Sequence, residues 1–284
     1  MKDVLFANIV KILGFFFFTP IYAFATTGTM SITANTILTE DHFGKIIISA
    51  NGVTLDCKNF KVVGTGTGHG IDIDGRLGVS VKFCHTQNFG VGFNLQNSSN
   101  TILFKNSSTQ NFSTSGGFFI KNCHNRIMIS RNTSFRNIRG RGFAIESSSG
   151  VIISKNNAHH NGFRGIQVGN SSNILLEKNE ASNNGSAGVV IFNSFKITAE
   201  KNIVQKSTYE GFAILGTKDS KFEKNEAKNN NTYGFRVSGG SNNLFEKNTA
   251  YSNGVLDLLD SSCPSLSNTW ISNSFNTANC LGIN

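Results

Sequence analysis

Residues 165–179 read Gly165-Ile166-Gln167-Val168-Gly169-Asn170-Ser171-Ser172-Asn173-Ile174-Leu175-Leu176-Glu177-Lys178-Asn179. Ile166 and Val168 stand two apart around a polar residue, the period-two pattern of a strand with one buried face. A polar corner follows, then a second short apolar run, then a basic residue and an asparagine. The same block recurs along the chain. A basic residue precedes asparagine at Lys105-Asn106, Arg131-Asn132, Lys155-Asn156, Lys178-Asn179, Lys201-Asn202, Lys224-Asn225 and Lys247-Asn248, the last five spaced by 23 residues. A period in the low twenties is too short for a helix pair or a propeller blade and fits one turn of a solenoid.

Aligned on that asparagine, each unit opens with a glycine and an apolar pair, as in Gly92-Phe93-Asn94-Leu95, Gly117-Phe118-Phe119-Ile120, Gly142-Phe143-Ala144-Ile145, Gly188-Val189-Val190-Ile191, Gly211-Phe212-Ala213-Ile214 and Gly234-Phe235-Arg236-Val237. The glycine marks the bend into strand one, where a side chain would clash or a positive φ is needed. Strand two ends near Leu103, Ile129, Ile153, Leu176, Ala199, Phe222 and Phe245. Strand three is centred on the small residues Ser108, Ser134, Ala158, Ala181, Val204, Ala227 and Ala250. Three short strands per turn make a triangular coil. Successive coils lie about 4.8 Å apart, so equivalent asparagines stack and pass hydrogen bonds from amide to amide. The repeat therefore predicts a structural role for the asparagine. Helical solenoids lack support without a 3.6-residue period, and a leucine-rich repeat would need leucines where this chain places phenylalanine, isoleucine and valine beside glycine.

The ends are less regular. Ile46-Ile47-Ile48, Val53-Thr54-Leu55-Asp56 and Ile71-Asp72-Ile73 read as a first coil, with residues 26–45 as an N-terminal cap over open strand edges. Residues 255–284 read as a C-terminal coil and cap. Residues 1–25 combine Lys2 and Lys11, an apolar stretch through Phe15 to Phe18 and Ile21, and Ala23-Phe24-Ala25. This is the pattern of a secretory signal cleaved after Ala25, because Pro20 interrupts the run before it could span a bilayer. The expected product is one β-helix domain, residues 26–284, in the periplasm or outside the cell, monomeric and with no stable membrane span. Without residues 1–25, which hold Lys2, Lys11 and Asp3, the 26 basic and 17 acidic residues become 24 and 16, a net of +8.

Five cysteines remain. Cys263 and Cys280 flank the C-terminal segment and form the best candidate disulfide. Cys57, Cys84 and Cys123 read as inward thiols used as small core residues, and no spacing fits zinc.

The chain from residue 26 onward resembles the right-handed parallel β-helix repeat proteins of the pectin-lyase-like class, in particular the NosD-type and carbohydrate-binding/sugar-hydrolase (CASH) repeats. The resemblance rests on Val53-Thr54-Leu55-Asp56-Cys57, on the repeated Gly-Phe-x-Ile with Ser-Ser-Asn and Lys-Asn, and on Asn268-Thr269-Trp270 through Asn273, Phe275 and Thr277-Ala278-Asn279-Cys280. It implies an all-β fold, a single-stranded right-handed parallel β-helix in which three sheets wind through about ten coils. It is specific for fold and weak for activity, since the class holds lyases, epimerases, hydrolases and proteins without known catalysis.

Gly68-His69-Gly70 with Asp72 and Asp74 resembles one element of polygalacturonase-like hydrolases. The other acid/base elements of that family are absent, and a glycine turn with an incidental histidine is the plainer reading. The aspartate-proline-histidine motif of alginate-epimerase relatives is absent as well. No aspartate occurs between Asp74 and Asp219, which argues against a calcium site in the middle coils. Histidine and methionine supply is too thin for copper, so no metal or cofactor is expected. Nucleic acid is disfavoured by export despite the positive charge.

Arginine clusters: Arg126, Arg131, Arg136, Arg139, Arg141 and Arg164 are six of the eight in the chain. Arg141 and Arg164 hold the same position before the strand-one glycine and should stack on the surface, with Glu146 near enough to pair. Guanidinium forks match carboxylates, so these six are candidate ligands for an acidic sugar polymer lying along the lateral face. The expected function is binding of extended acidic carbohydrate without turnover. The alternative is a lyase or epimerase of uronate polymers, with Arg141 and Arg164 neutralising the sugar carboxylate and His159, His160 or Tyr209 as base. A site is expected where the 23-residue rhythm breaks, in the 25-residue coils between Gly92 and Gly142.

Overall fold

A computed structural model describes residues 26–263 and 267–280. The expected signal segment and its cleavage after Ala25 lie outside those residues. Each coil runs strand one, strand two, strand three, and stacking gives parallel sheets of 11, 11 and 12 strands, called sheets one, two and three in that order. Strand one of the coil quoted above is Ile166–Gly169, strand two Ser172–Glu177 and strand three Glu180–Ser182. Residues expected as a cap already contribute Thr26–Thr27, Met30–Ile32, Thr36–Ile37 and His42–Phe43 to the three sheets. At the other end Leu256–Asp260, Thr269–Ile271 and Ser274–Phe275 supply the last strand of each sheet. No helix among the described residues is long and apolar enough to cross a membrane.

Register puts like upon like. Phe93, Phe118 and Phe143 pair in sequence across sheet one, and their buried rings stack with centroids 4.5 and 4.7 Å apart. Phe222, Phe245 and Trp270 do the same in sheet two, at 4.7 and 4.1 Å. Parallel stacks at this separation join ring contact to burial, which is worth roughly 1.5–3 kcal/mol for each large apolar side chain. The strand-one glycines have a steric cause. A Cβ on Gly142 would sit 2.9 Å from the Cβ of Ala158, and on Gly165 the same distance from that of Ala181. Small residues in strand three and glycine before strand one thus let the corner close.

The asparagines form the ladder the repeat predicts. Asn202 Nδ2 donates to Leu176 O at 2.9 Å and to Asn225 Oδ1 at 2.9 Å, while its own Oδ1 accepts from the backbone N–H and Nδ2 of Asn179. A second ladder, at the corner between strands three and one, runs through Asn111, Asn137, Asn161 and Asn184. The reading of Cys57 and Cys84 as stacked thiols needs correction, because these two are joined in a disulfide with Cα atoms 4.8 Å apart. They stand at the head of the asparagine ladder, where the Cys84 N–H donates to Asn106 Oδ1. One rung of separation brings equivalent side chains within bonding reach, so residues 27 apart in sequence bond covalently. Cys263 and Cys280 are also joined. Cys123 is free and buried, and burial pushes its thiol up to about 11.

Candidate functional site

The outer side of sheet one differs from the rest of the surface because its central column is almost sealed. Register aligns Asp72, Asn94, Phe119, Ala144, Gln167, Val190, Ala213 and Arg236. Asn94, Ala144, Gln167, Val190 and Ala213 in that column are buried. The wall is built by the turns leading into strand one. Most of the extra residues of the 25-residue coils fall in those turns, at 112–116 and 138–141, and one falls in the corner before strand two, within 122–126.

Arg141 and Arg164 come together on this wall. Phe163 lies between their positions, with its ring centre 5.7 Å from Arg141 Cζ and 4.7 Å from Arg164 Cζ. Arg141 Nη1 is 3.7 Å from Glu146 Oε1, and Arg164 Nη1 donates to Gln167 Oε1. Gln167 Nε2 donates to Glu146 Oε1 at 3.1 Å. Glu146 therefore serves the Arg141 guanidinium and the Gln167 amide, and Arg164 is linked to it only through Gln167. The Nε atoms of Arg141 and Arg164 are buried without a hydrogen-bond partner. Burial pushes both guanidinium groups below the usual arginine range; Glu146 opposes this at Arg141, while Arg141 itself adds to it at Arg164 and Glu210 opposes it. Such a cluster carries a partly desolvated positive charge, and an anion supplied from outside would be held by more than a surface ion pair.

Of the other arginines, Arg126 and Arg131 stand at other corners, while Arg136 and Arg139 share the turn of Arg141. Exposed Arg126 follows strand one and borders a shallow hollow over sheet two with Asn125, Gly150 and Ile152. Arg131 leads into strand three, its Cζ 5.9 Å from the ring centre of Phe104, and Arg136 and Arg139 are in the turn after strand three. His159 and His160 belong to sheet three and its edge. His159 stacks on Phe135 at 5.3 Å, and its Nδ1 is 3.0 Å from His160 Nδ1. Burial first, then His160 and Arg136, hold the His159 imidazole below its ordinary value against the pull of Glu180. Tyr209 is exposed, two rungs from Phe163 in the same turn, with Ser186 between them. None of these three makes a hydrogen bond or ion pair with Arg141 or Arg164.

At the N-terminal end of the same face, His69 Nδ1 is 3.2 Å from Asp72 Oδ1, and Asn94 Nδ2 donates to that oxygen at 2.7 Å. Burial raises the Asp72 carboxyl, but hydrogen bonds from His69 and Asn94 outweigh it and hold the group below the usual carboxylate range. Asp72 is thus an ionised acceptor, unsuited to donate a proton. Asp74 accepts from Asn97 Nδ2 instead. Sequence reasoning missed Phe163, Gln167 and the Glu210–Arg236 pair, whose atoms are 3.0 Å apart. The signal was present in the residue between each apolar pair, which is polar at Asn94, Gln167 and Arg236 and small or apolar between them.

A three-sheet parallel solenoid with a walled lateral face defines the class of the β-helix proteins. The chain belongs to the right-handed beta helix region family, whose model matches residues 21–173 and 116–276. No curated protein matches it in sequence. Among solved structures, a point mutant of the periplasmic alginate epimerase AlgG superposes with a TM-score of 0.66 at 13% identity, covering 90% of this chain and 74% of that one. The A-module of the mannuronan C-5 epimerase AlgE6 of Azotobacter vinelandii gives 0.53 at 11% identity, covering 90% and 86%. The catalytic unit of the GH87 alpha-1,3-glucanase of Streptomyces thermodiastaticus strain HF3-3 gives 0.53 at 14% identity, covering 88% and 62%. At such identities the shared property is the fold.

Proposed function

We propose that this is an exported, monomeric protein that binds an extended acidic carbohydrate along sheet one, at Arg141 and Arg164, without turning it over. The observation that carries this reading is a shortage of carboxylate: of two register-aligned, half-buried arginines only Arg141 has an ion pair, to Glu146 at 3.7 Å, while Arg164 is hydrogen-bonded to the neutral Gln167. A uronate carboxylate is planar and bidentate and supplies the missing negative charge, while the partly exposed Phe163, Phe192 and Leu215 offer surface to the C–H faces of sugar rings. Solved neighbours of this fold named as alginate epimerase, mannuronan epimerase and alpha-1,3-glucanase support a polysaccharide partner. A periplasmic neighbour and two disulfides support an oxidising compartment.

Lyase or epimerase chemistry requires a base within hydrogen-bond reach of the sugar C–H beside the neutralised carboxylate. His159 and His160 stand on a different sheet, and Tyr209 is two rungs away, so binding is the better reading of this geometry. The test is calorimetric titration of the exported chain with polygalacturonate and alginate, following the ultraviolet absorbance of unsaturated products in parallel. Arg141→Ala with Arg164→Ala should weaken binding at least tenfold, about 1.4 kcal/mol or more. Product that accumulates with wild type and vanishes in the double variant would establish turnover and overturn the binding-only reading.

A further inference from the structure

The corner between sheets two and three carries a cation on seven rungs: Lys105, Arg131, Lys155, Lys178, Lys201, Lys224 and Lys247. All seven lie in the left-handed region, with φ between 52° and 56°. The residue before each is aligned by register, from Phe104 through Ser130, Ser154, Glu177, Glu200 and Glu223 to Glu246. From Lys178 onward every cation of this corner pairs with the glutamate just before it: Lys178–Glu177 at 2.6 Å, Lys201–Glu200, Lys224–Glu223 at 2.6 Å and Lys247–Glu246 at 2.9 Å. On the three rungs before that the carboxylate is replaced by Phe104, Ser130 and Ser154. Lys105, Arg131 and Lys155 are exposed and, among the described residues, in no ion pair. Lys105 Nζ lies 5.6 and 5.4 Å from the ring centres of Phe83 and Phe104, and Arg131 Cζ lies over Phe104. The stretch is bounded on one side by Lys82, 3.4 Å from Asp56, and on the other by the Lys178–Glu177 pair.

Like charges about 4.8 Å apart in a straight line repel. A ligand that relieves this repulsion is linear, anionic and parallel to the solenoid axis. We infer that Lys105, Arg131 and Lys155, with Phe83 and Phe104, form a second binding track for a linear acidic glycan, on a different corner from the Arg141–Arg164 groove and independent of it. An acidic glycan brings one charge per sugar ring and a C–H face for the aromatic rings. Duplex DNA carries a charge about every 1.7 Å of its axis, too dense for one cation per rung. A bilayer would need apolar groups protruding beyond the cations, whereas here cations lie over the rings of Phe83 and Phe104.

The Glu ladder makes a gain-of-binding test possible, which misfolding cannot imitate. Glu177→Gln with Glu200→Gln frees Lys178 and Lys201 and lengthens the track from three cations to five. Polygalacturonate affinity should rise severalfold, and the log–log salt dependence should steepen. Lys105→Ala, Arg131→Ala and Lys155→Ala together should lower affinity about tenfold at low salt and flatten that slope by two to three, roughly one per cation. Arg141→Ala with Arg164→Ala should leave the gain from the glutamine variants intact, so that failure of the groove and failure of the track are told apart. Unchanged affinity in the triple variant, no gain in the glutamine variant, or tighter binding to phosphatidylglycerol vesicles or duplex DNA than to polygalacturonate would overturn the inference.

Discussion

Residues 75–145 and residues 165–262 follow the same interior plan and have opposite exteriors. The first stretch carries nine cations and no carboxylate, the second ten cations and ten carboxylates. Inside, both place phenylalanine on phenylalanine in sheet one, at 4.5 Å for Phe93–Phe118 and 4.7 Å for Phe212–Phe235. Both run the same asparagine ladder. A repeat fold decouples these two requirements, because alternation along each strand sends one set of side chains to the core and the other to solvent. The interior must be uniform for coils to stack. The exterior is free to differ, and here it divides the solenoid into a cationic half and a neutral half.

If the interiors are equivalent, breaking the ladder should cost the same in either half, and this is the largest expected effect. Asn132→Ala and Asn202→Ala each remove a side chain that bonds a backbone carbonyl and the next amide, at 2.9 and 3.1 Å for Asn132 and 2.9 and 2.9 Å for Asn202. Each leaves buried partners unsatisfied, for a loss of about 3 kcal/mol or more in chemical denaturation. A cost at Asn132 far below that at Asn202 would mean that the cationic coils are held by something other than the ladder.

The interior was legible in the sequence because stacking forces repetition: glycine, apolar pair, polar corner and Lys-Asn recur and can be aligned by eye. The Cys57–Cys84 bond was not, because the first coils lack the regular repeat, so nothing in the linear pattern shows that these two cysteines share the ladder position of Asn106. The groove was half legible. Arg141 and Arg164 align in the repeat, whereas Phe163 and Gln167 matter only through the turn that folds over sheet one. Clustering in sequence also overstated the arginine site, since Arg126, Arg131 and Arg136 occupy three different corners of the triangle.

Acid should separate the halves next. Lys221 and then Lys224 pull the Glu223 carboxyl from its ordinary 4.5 to about 2, and hydrogen bonds from lysine likewise hold Glu177, Glu226 and Glu246 low. A folded-state value below the unfolded one contributes stability that is present above about pH 4.5 and lost as pH falls towards 2. These carboxylates are partly exposed at the surface of the solenoid, so the effect is modest and screened by salt. Hydrogen exchange between pH 5 and about 2.5 should quicken in residues 200–247 relative to residues 102–136, which hold no carboxylate to protonate. Equal acceleration in both stretches would show that acid acts through the whole solenoid and not through the Glu–Lys ladder.

The smallest effect on stability is expected from moving one feature of the neutral half into the cationic half. Ser154 is in register with Glu177 and precedes Lys155 as Glu177 precedes Lys178. Ser154→Glu should therefore recreate the exposed ion pair, changing unfolding free energy by no more than about 0.5 kcal/mol, since exposed pairs are worth little. Its effect on ligand binding should be larger than its effect on the fold, because it places a carboxylate beside one of only three free cations on the track. Weaker polygalacturonate binding at unchanged stability would assign the missing glutamates to recognition. Unchanged binding would mean that the cationic half differs from the neutral half in composition alone.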